Sequence, residues 1–279
     1  MADRSLSEPE GPAPTAEVYS ERDCPSFEAA LATRSAAREV GFFLAHLRPG
    51  MRVLDVGCGP GSITLGLAAV VAPAEVVGVD LQAAQVEQAR ALAAERSVAN
   101  ARFEVANVYE LPFPNASFDA VLAHTVLMGL REPVLALREL RRVLRPGGVV
   151  GLRDPDWGAD LFAPVTPLVE QWWAVRRQVL QHNGGQVRGR DHRGQLLEAG
   201  FARAEAQASA SSAGSQAATR QYAAFLKAQL AAHARTAIAQ QWLDQGTIDA
   251  IAEQFDRWGE RPDAFSARIY CEAIGWVEE

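Results

Sequence analysis

The segment VLDVGCGPGS, residues 53–62, sets an acid, Asp55, two residues ahead of three glycines at alternate positions, Gly57, Gly59 and Gly61. Each glycine removes a Cβ, so a ligand can touch bare backbone there, and the N–H groups of a following helix attract an anion. A phosphate is the first guest to consider. The nucleoside-triphosphate loop, however, requires a lysine after its last glycine, and this segment has none. The dinucleotide fingerprint Gly-x-Gly-x-x-Gly/Ala places its third glycine one residue later than Gly61. A carboxylate at position 55 would repel a pyrophosphate and attract an ammonium or sulfonium. Asp55 also reads as a cap for the glycine turn, and Asp80 as an ordinary strand-end turn residue.

These residues need elements to hold them. MRVLDVG (51–57), EVVGVD (75–80), ARFEVAN (101–107), SFDAVLAHT (117–125) and VVGLRD (149–154) are short apolar or β-branched runs and predict strands. Helical patterns separate them at 61–72, 82–97 and 131–145, and an Ala-rich helix is expected at 27–47. This alternation predicts βαβ units and a parallel sheet covered on both faces. In such a sheet, ligands bind beyond the carboxyl ends of the strands. After 155 the rhythm changes. Helices are expected at 164–182 and 191–201, a weakly alternating strand at 203–210, a mainly helical stretch over 217–258, and a closing strand at 264–277.

The ordered set of motifs resembles the class I S-adenosylmethionine-dependent methyltransferases, and most closely their ubiquinone/menaquinone-biosynthesis-like, small-molecule branch. Asp-x-Gly-x-Gly-x-Gly is similar to that family's first motif. Asp80 stands where the family holds ribose hydroxyls with an acid. ANVYELPFPNASFDAV (106–121) looks like the block flanking the adenine, and ELRRVLRPGG (139–148) like the helix and turn before strand five. One position departs: Asn107 stands where that block usually has an acid, and an amide brings hydrogen bonds without charge. The resemblance implies a doubly wound, seven-stranded, mostly parallel α/β sheet of the Rossmann-like methyltransferase fold. It also implies S-adenosyl-L-methionine as cofactor. The expected contacts are Asp55, Gly57, Cys58, Gly59 and Gly61 on the first turn. Asp80 and Leu81 follow strand two, and Asn107 and Val108 follow strand three. Arg34 in the leading helix and Tyr19 before it are expected to cover the site.

The acceptor side is less legible, because a sulfonium methyl needs chiefly alignment and a dry site. His124 ends strand four and is expected near the methyl group, as a general base or as a positioning residue. Asp154 and Asp156 follow strand five on the same edge; Asp154 is a candidate catalytic carboxylate and Asp156 a candidate acceptor ligand. Trp157 would wall the substrate. Residues 212–258 fall between the last two strands and are expected to form a helical lid, with Phe225 and Trp242 against the substrate. The domain reading is therefore a lead-in at 1–16, a cofactor domain at 17–211 and 259–279, and the lid between.

The 279-residue chain carries a formal net charge of −7, which disfavours nucleic acid and anionic membrane as partners. The opening residues lack the apolar core of a secretory signal, and no apolar run is long enough to span a membrane, so a cytoplasmic location is expected. Cys24, Cys58 and Cys271 have no metal-ligand spacing, and no metal is expected. A small-molecule acceptor is the expected partner, with a homodimer as a further option through the leading helix. The competing functions are an RNA or protein methyltransferase, a cofactor-binding pericyclase or lyase that transfers no methyl, and a nicotinamide dehydrogenase.

Overall fold

The computed structural model describes residues 34–185 and 188–279. The lead-in at 1–16 and Tyr19 lie outside the described residues. The described chain opens on two short helices, α1 (Ala36–Glu39) and α2 (Gly41–Leu44), where one continuous helix was expected. The break falls at Val40, whose φ of −131° leaves the helical range; Gly41, a poor helix former, follows it. β1 (Val53–Val56), α3 (Ser62–Val71), β2 (Val76–Asp80), α4 (Ala83–Glu95) and β3 (Ala101–Val105) come next. Then follow β4 (Phe118–His124), α5 (Pro133–Val143), β5 (Leu144–Pro155), a short β6 (Leu161–Ala163) and α6 (Pro167–His182). The chain ends through α7 (His192–Glu198), β7 (Arg203–Ala213), α8 (Gln216–Ala239), α9 (Gln245–Gly259) and β8 (Phe265–Trp276).

Strands β1 to β5 are parallel in the order β3-β2-β1-β4-β5. β8 runs antiparallel beside β5, and β7 runs antiparallel along β8. The seven expected strands all form. β6, which the sequence reading did not anticipate, pairs with β8 beyond the end of β5. Residues of β1 are buried throughout, as are Val76 to Val79 of β2, because helices cover both faces of the sheet.

Alternation along the strands sends successive side chains into two cores. Val53, Val76, Leu122 and Val149 meet α3 and Phe43 of α2. Leu54, Val77, Val121 and Val150 meet Leu137 and Leu140 of α5 and Leu196 of α7. The strand order reverses between β1 and β4, so a crevice opens at their carboxyl ends.

A third core lies outside this frame. Trp172 and Val179 of α6 pack with Leu226 and Leu230 of α8 and with Ile251, Phe255 and Trp258 of α9. The expected helical stretch is two helices. They separate at Gln241, with φ +58°, and the Asp244 carboxylate caps α9 by accepting from the Thr247 N–H at 2.7 Å. β7 and β8 stay paired out to Ala213 and Ser266, whereas β5 leaves β8 at Tyr270. The two helices are therefore rooted past the carboxyl end of β5, on the side of the crevice.

Candidate functional site

The crevice is built first by the glycine turn between β1 and α3. Gly57, Gly59 and Gly61 have φ of +66°, +51° and +81°, which side chains other than glycine rarely adopt. Gly57 and Gly61 are also confined: a Cβ on Gly57 would collide with Val126 Cγ2, and one on Gly61 would stand 2.9 Å from Ala89 Cβ. Gly59 is different. A Cβ there would meet Gln85 Oε1 alone, at 3.7 Å, so its bare side opens into the crevice.

Two carboxylates flank the turn. Asp80 Oδ2 accepts from the Gly59 N–H at 3.0 Å, and its Oδ1 accepts from the Gln82 N–H at 2.9 Å. Burial raises its pKa, against the lowering effect of these N–H groups. Asp55 is buried and Oδ2 accepts from the Thr64 hydroxyl at 2.6 Å, across to the first turn of α3. Burial pushes its carboxyl up to about 7, partly offset by Thr64 and reinforced by the charge of Asp80. Both carboxylates line the crevice, together with Arg34, Cys58, Leu81, Asn107, Val108 and His124. The Cys58 side chain packs with Phe103 and Val86, and burial raises its thiol. Asn107 Oδ1 accepts from the Tyr109 N–H at 3.0 Å and so holds its own turn; Leu81, half exposed, presents an apolar surface nearby.

His124 reaches the crevice, but not as a base. Arg153 Nη1 lies 2.9 Å from His124 Nε2, and a guanidinium has only hydrogens to offer. Nε2 is therefore the acceptor, and the proton sits on Nδ1, 3.2 Å from the Thr125 hydroxyl. Burial, Arg34 and Arg153 lower its pKa well below the usual range, so the ring is neutral with its lone pair engaged. His124 was expected as a general base or a positioning residue, and these contacts favour the second. Arg153 is itself held by Glu39 at 3.0 Å and Glu272 at 3.2 Å.

The strand-five residues leave the crevice. Strand alternation sends Arg153 to the α1 face and Asp154 to the α7 face. Asp154 is fully buried, 3.0 Å from His192 Nε2, and accepts from the Met128 N–H at 3.4 Å. Its carboxylate faces His192, and Asp154 is not among the residues that line the crevice, where its catalytic role was expected. Asp156 is buried under Arg190, which donates to both of its oxygens and holds its carboxyl low against the burial that raises it. It is thus already neutralised, and its expected role toward substrate is corrected in turn. Trp157, Phe225 and Trp242 stand apart from the crevice-lining residues. Trp157 packs with Met128 and Leu180, Phe225 stacks on Tyr222 at 6.0 Å, and Trp242 meets His182 edge-on at 5.7 Å.

Several crevice residues escaped the sequence reading: Thr125, Val126, Tyr109, Gln82 and Gln85. Thr125 is β-branched yet has φ +60°, a strained backbone at the end of β4; no local signal in AHTV marks it. Among the described residues no group of three or more His, Cys, Asp or Glu is placed to hold a metal. Among them, too, no helix is long and apolar enough to cross a membrane.

Comparison with known proteins agrees with this geometry. The family described as "Methyltransferase domain" matches residues 47–200. A methyltransferase named ltbC from Aspergillus luteorubrus is 32% identical over 88% of this chain and 92% of its own length. The O-methyltransferase resE from Aspergillus sclerotiorum is 35% identical over 44% of this chain and 47% of its own. Among solved structures, the YcgJ protein from Bacillus subtilis superposes with a TM-score of 0.57, covering 86% of this chain and 98% of that one at 22% identity. That last likeness bears on fold alone.

Proposed function

The chain belongs to the methyltransferase-domain family and is an S-adenosylmethionine-dependent methyltransferase, and from that premise we propose that it methylates a small, largely apolar acceptor of secondary metabolism. The observation that carries this reading is the third core. Helices α6, α8 and α9 stand past the carboxyl end of β5 and pack on one another there; in this reading they cap the acceptor's approach, an arrangement suited to a small molecule rather than to RNA or a folded protein. The similarity to an O-methyltransferase of Aspergillus sclerotiorum favours oxygen as the atom methylated.

The crevice residues fit the cofactor. Asp80 is fixed at the crevice by backbone N–H groups, those of Gly59 and Gln82 among them, and presents a carboxylate acceptor there, as a ribose diol needs. Gly59 offers bare backbone, and Arg34 brings a cation suited to the carboxylate of the methionine portion. Asp55 is suited to its ammonium, which would hold the carboxyl ionised. Leu81 and Val108 supply apolar surface for the adenine, with Asn107 beside them. Tyr19 remains a candidate cover from outside the described residues.

S-adenosylmethionine supplies a methyl group already activated by its sulfonium. The chain's task is then alignment and exclusion of water. His124 performs the first by its tether to Arg153 and Thr125, which fixes the wall at the end of β4. Turnover with methyl-labelled cofactor tests the proposal, using a panel of phenols, acids and amines beside bulk RNA and protein. Label is expected in the small-molecule fraction. Label confined to RNA or protein would overturn it.

A further inference from the structure

Beneath the cap lies a buried polar cluster that the cofactor site does not use. Arg176 of α6 and Arg268 of β8 both stack on Trp157, with guanidinium carbons 4.0 Å and 4.9 Å from the ring centre. Arg268 also faces Phe225 at 4.8 Å. Both cations are at least nine-tenths buried, at 1% and 7% exposure. Asp160 acts on both and pairs with Arg176 Nη2 at 3.0 Å. Arg268 Nη2 reaches the Tyr222 hydroxyl and Gln229 Oε1, each at 3.5 Å, the limit of a hydrogen bond.

The account of donors does not close. Arg176 Nε and Nη1, Arg268 Nε, Trp157 Nε1 and both ring nitrogens of His233 are buried without partners. Burial lowers Arg176 to about 10, so it stays charged at neutral pH. Burial and Arg176 together lower His233 to about 3, so it stays neutral. Two guanidiniums thus share one carboxylate; Tyr222 and Tyr270 also act on Arg268 and raise it, so the unmet demand is greatest at Arg176, and an incompletely matched buried cation is strongly unfavourable. Native chains leave few such groups unpaired, and several in one place call for a partner.

We propose that this cluster is the acceptor's anion site, and that the acceptor is a planar conjugated acid whose carboxylate seats on Arg176 and Arg268. A carboxylate matches the fork of a guanidinium, takes two donors at once, and balances the excess charge. The indole of Trp157, against which both guanidiniums lie, gives the anion an aromatic wall suited to a flat, apolar body beside it. The place suits an acceptor as well. Trp157 packs on Met128, and Met128 belongs to the short turn whose neighbours Val126, Gly129 and Leu130 line the crevice. The proposal rests on the small-molecule reading above and narrows it to anionic acceptors.

The test is calorimetric titration of purified protein, alone and saturated with S-adenosylhomocysteine. The probes are benzoate, 1-naphthoate and anthracene-9-carboxylate, each paired with its primary amide. At neutral pH at least one acid is expected to bind about 10-fold or more tightly than its amide, as charge-assisted hydrogen bonds imply. R176Q and R268Q should each reduce that preference to about 3-fold or less, while K227Q, which removes an exposed cation of α8, should leave it intact. Amides binding as well as acids in the unaltered protein, or no acid binding at all, would overturn the proposal even if the variants fail to fold. Absence of S-adenosylhomocysteine binding contradicts the cofactor reading, while the acid–amide comparison on protein alone still decides this one.

Discussion

The crevice and the cap are built by opposite means. In the crevice, recognition is carried by backbone: three glycines at positive φ, N–H groups tied to Asp80, and carboxylates whose partners lie close in sequence. Under the cap, side chains far apart in sequence, Trp157, Arg176, Tyr222 and Arg268, meet in one buried cluster, the proposed acceptor site. A backbone cradle suits a cofactor that is always the same molecule. A side-chain cluster is easily altered by substitution, which suits an acceptor that differs between relatives.

If the two regions are separable, each can be damaged without the other. The largest expected effect is in the cap. Trp258 is fully buried, stacks on Phe162 at 4.3 Å and donates to the Ala163 carbonyl at 2.8 Å. Trp258→Ala should cost about 3–5 kcal/mol in urea unfolding. S-adenosylhomocysteine affinity, measured on the folded protein, should stay within about 3-fold of the parent. A large loss of affinity would show that the regions are coupled.

Gly57→Ala strikes the crevice. Positive φ and the collision with Val126 together should cost about 2 kcal/mol or more in stability, with S-adenosylhomocysteine binding weakened at least about 10-fold. Asp80→Asn is milder on folding but selective for ligand. Loss of the charged acceptor should weaken S-adenosylhomocysteine by about 1.5–3 kcal/mol in calorimetry, and leave any acid bound under the cap unaffected.

The smallest effect is the dependence on pH. Burial pushes the Asp55 carboxyl of the folded chain up to about 7, from the ordinary 3.8. A carboxyl raised by folding stabilises fully below its unfolded pKa, and that contribution is lost as pH rises through the folded value. Without ligand, stability should therefore decline between about pH 4 and 7 on this group's account. A cation beside Asp55 prefers the ionised form, so the thermal stabilisation given by S-adenosylhomocysteine should grow from pH 6 to pH 8. Asp55→Asn should flatten that dependence.

The same contrast explains what the sequence could disclose. The glycine turn and Asp80 were legible because their geometry is local: strand, turn and helix follow one another, and the spacing itself excludes a dinucleotide loop. His124 lines the crevice. Its lowered basicity comes from burial, Arg34 and Arg153, and no local pattern reveals this combination. Asp154 was misjudged because strand-end position says nothing about facing; alternation turned it to His192. Thr125 at positive φ and the break at Val40 are likewise products of packing. In the cap, the helices were expected, but the meeting of Arg176 and Arg268 on Trp157 required the fold.

The central claim is that the nucleoside of the cofactor lies on the Gly57–Gly61 turn, held by Asp80. Calorimetry of S-adenosylhomocysteine at pH 8 on the parent protein and on Asp80→Asn tests it most directly. Saturable heat from the parent and affinity at least about 10-fold weaker in the variant are expected. No heat from the parent, or equal affinities, would contradict it.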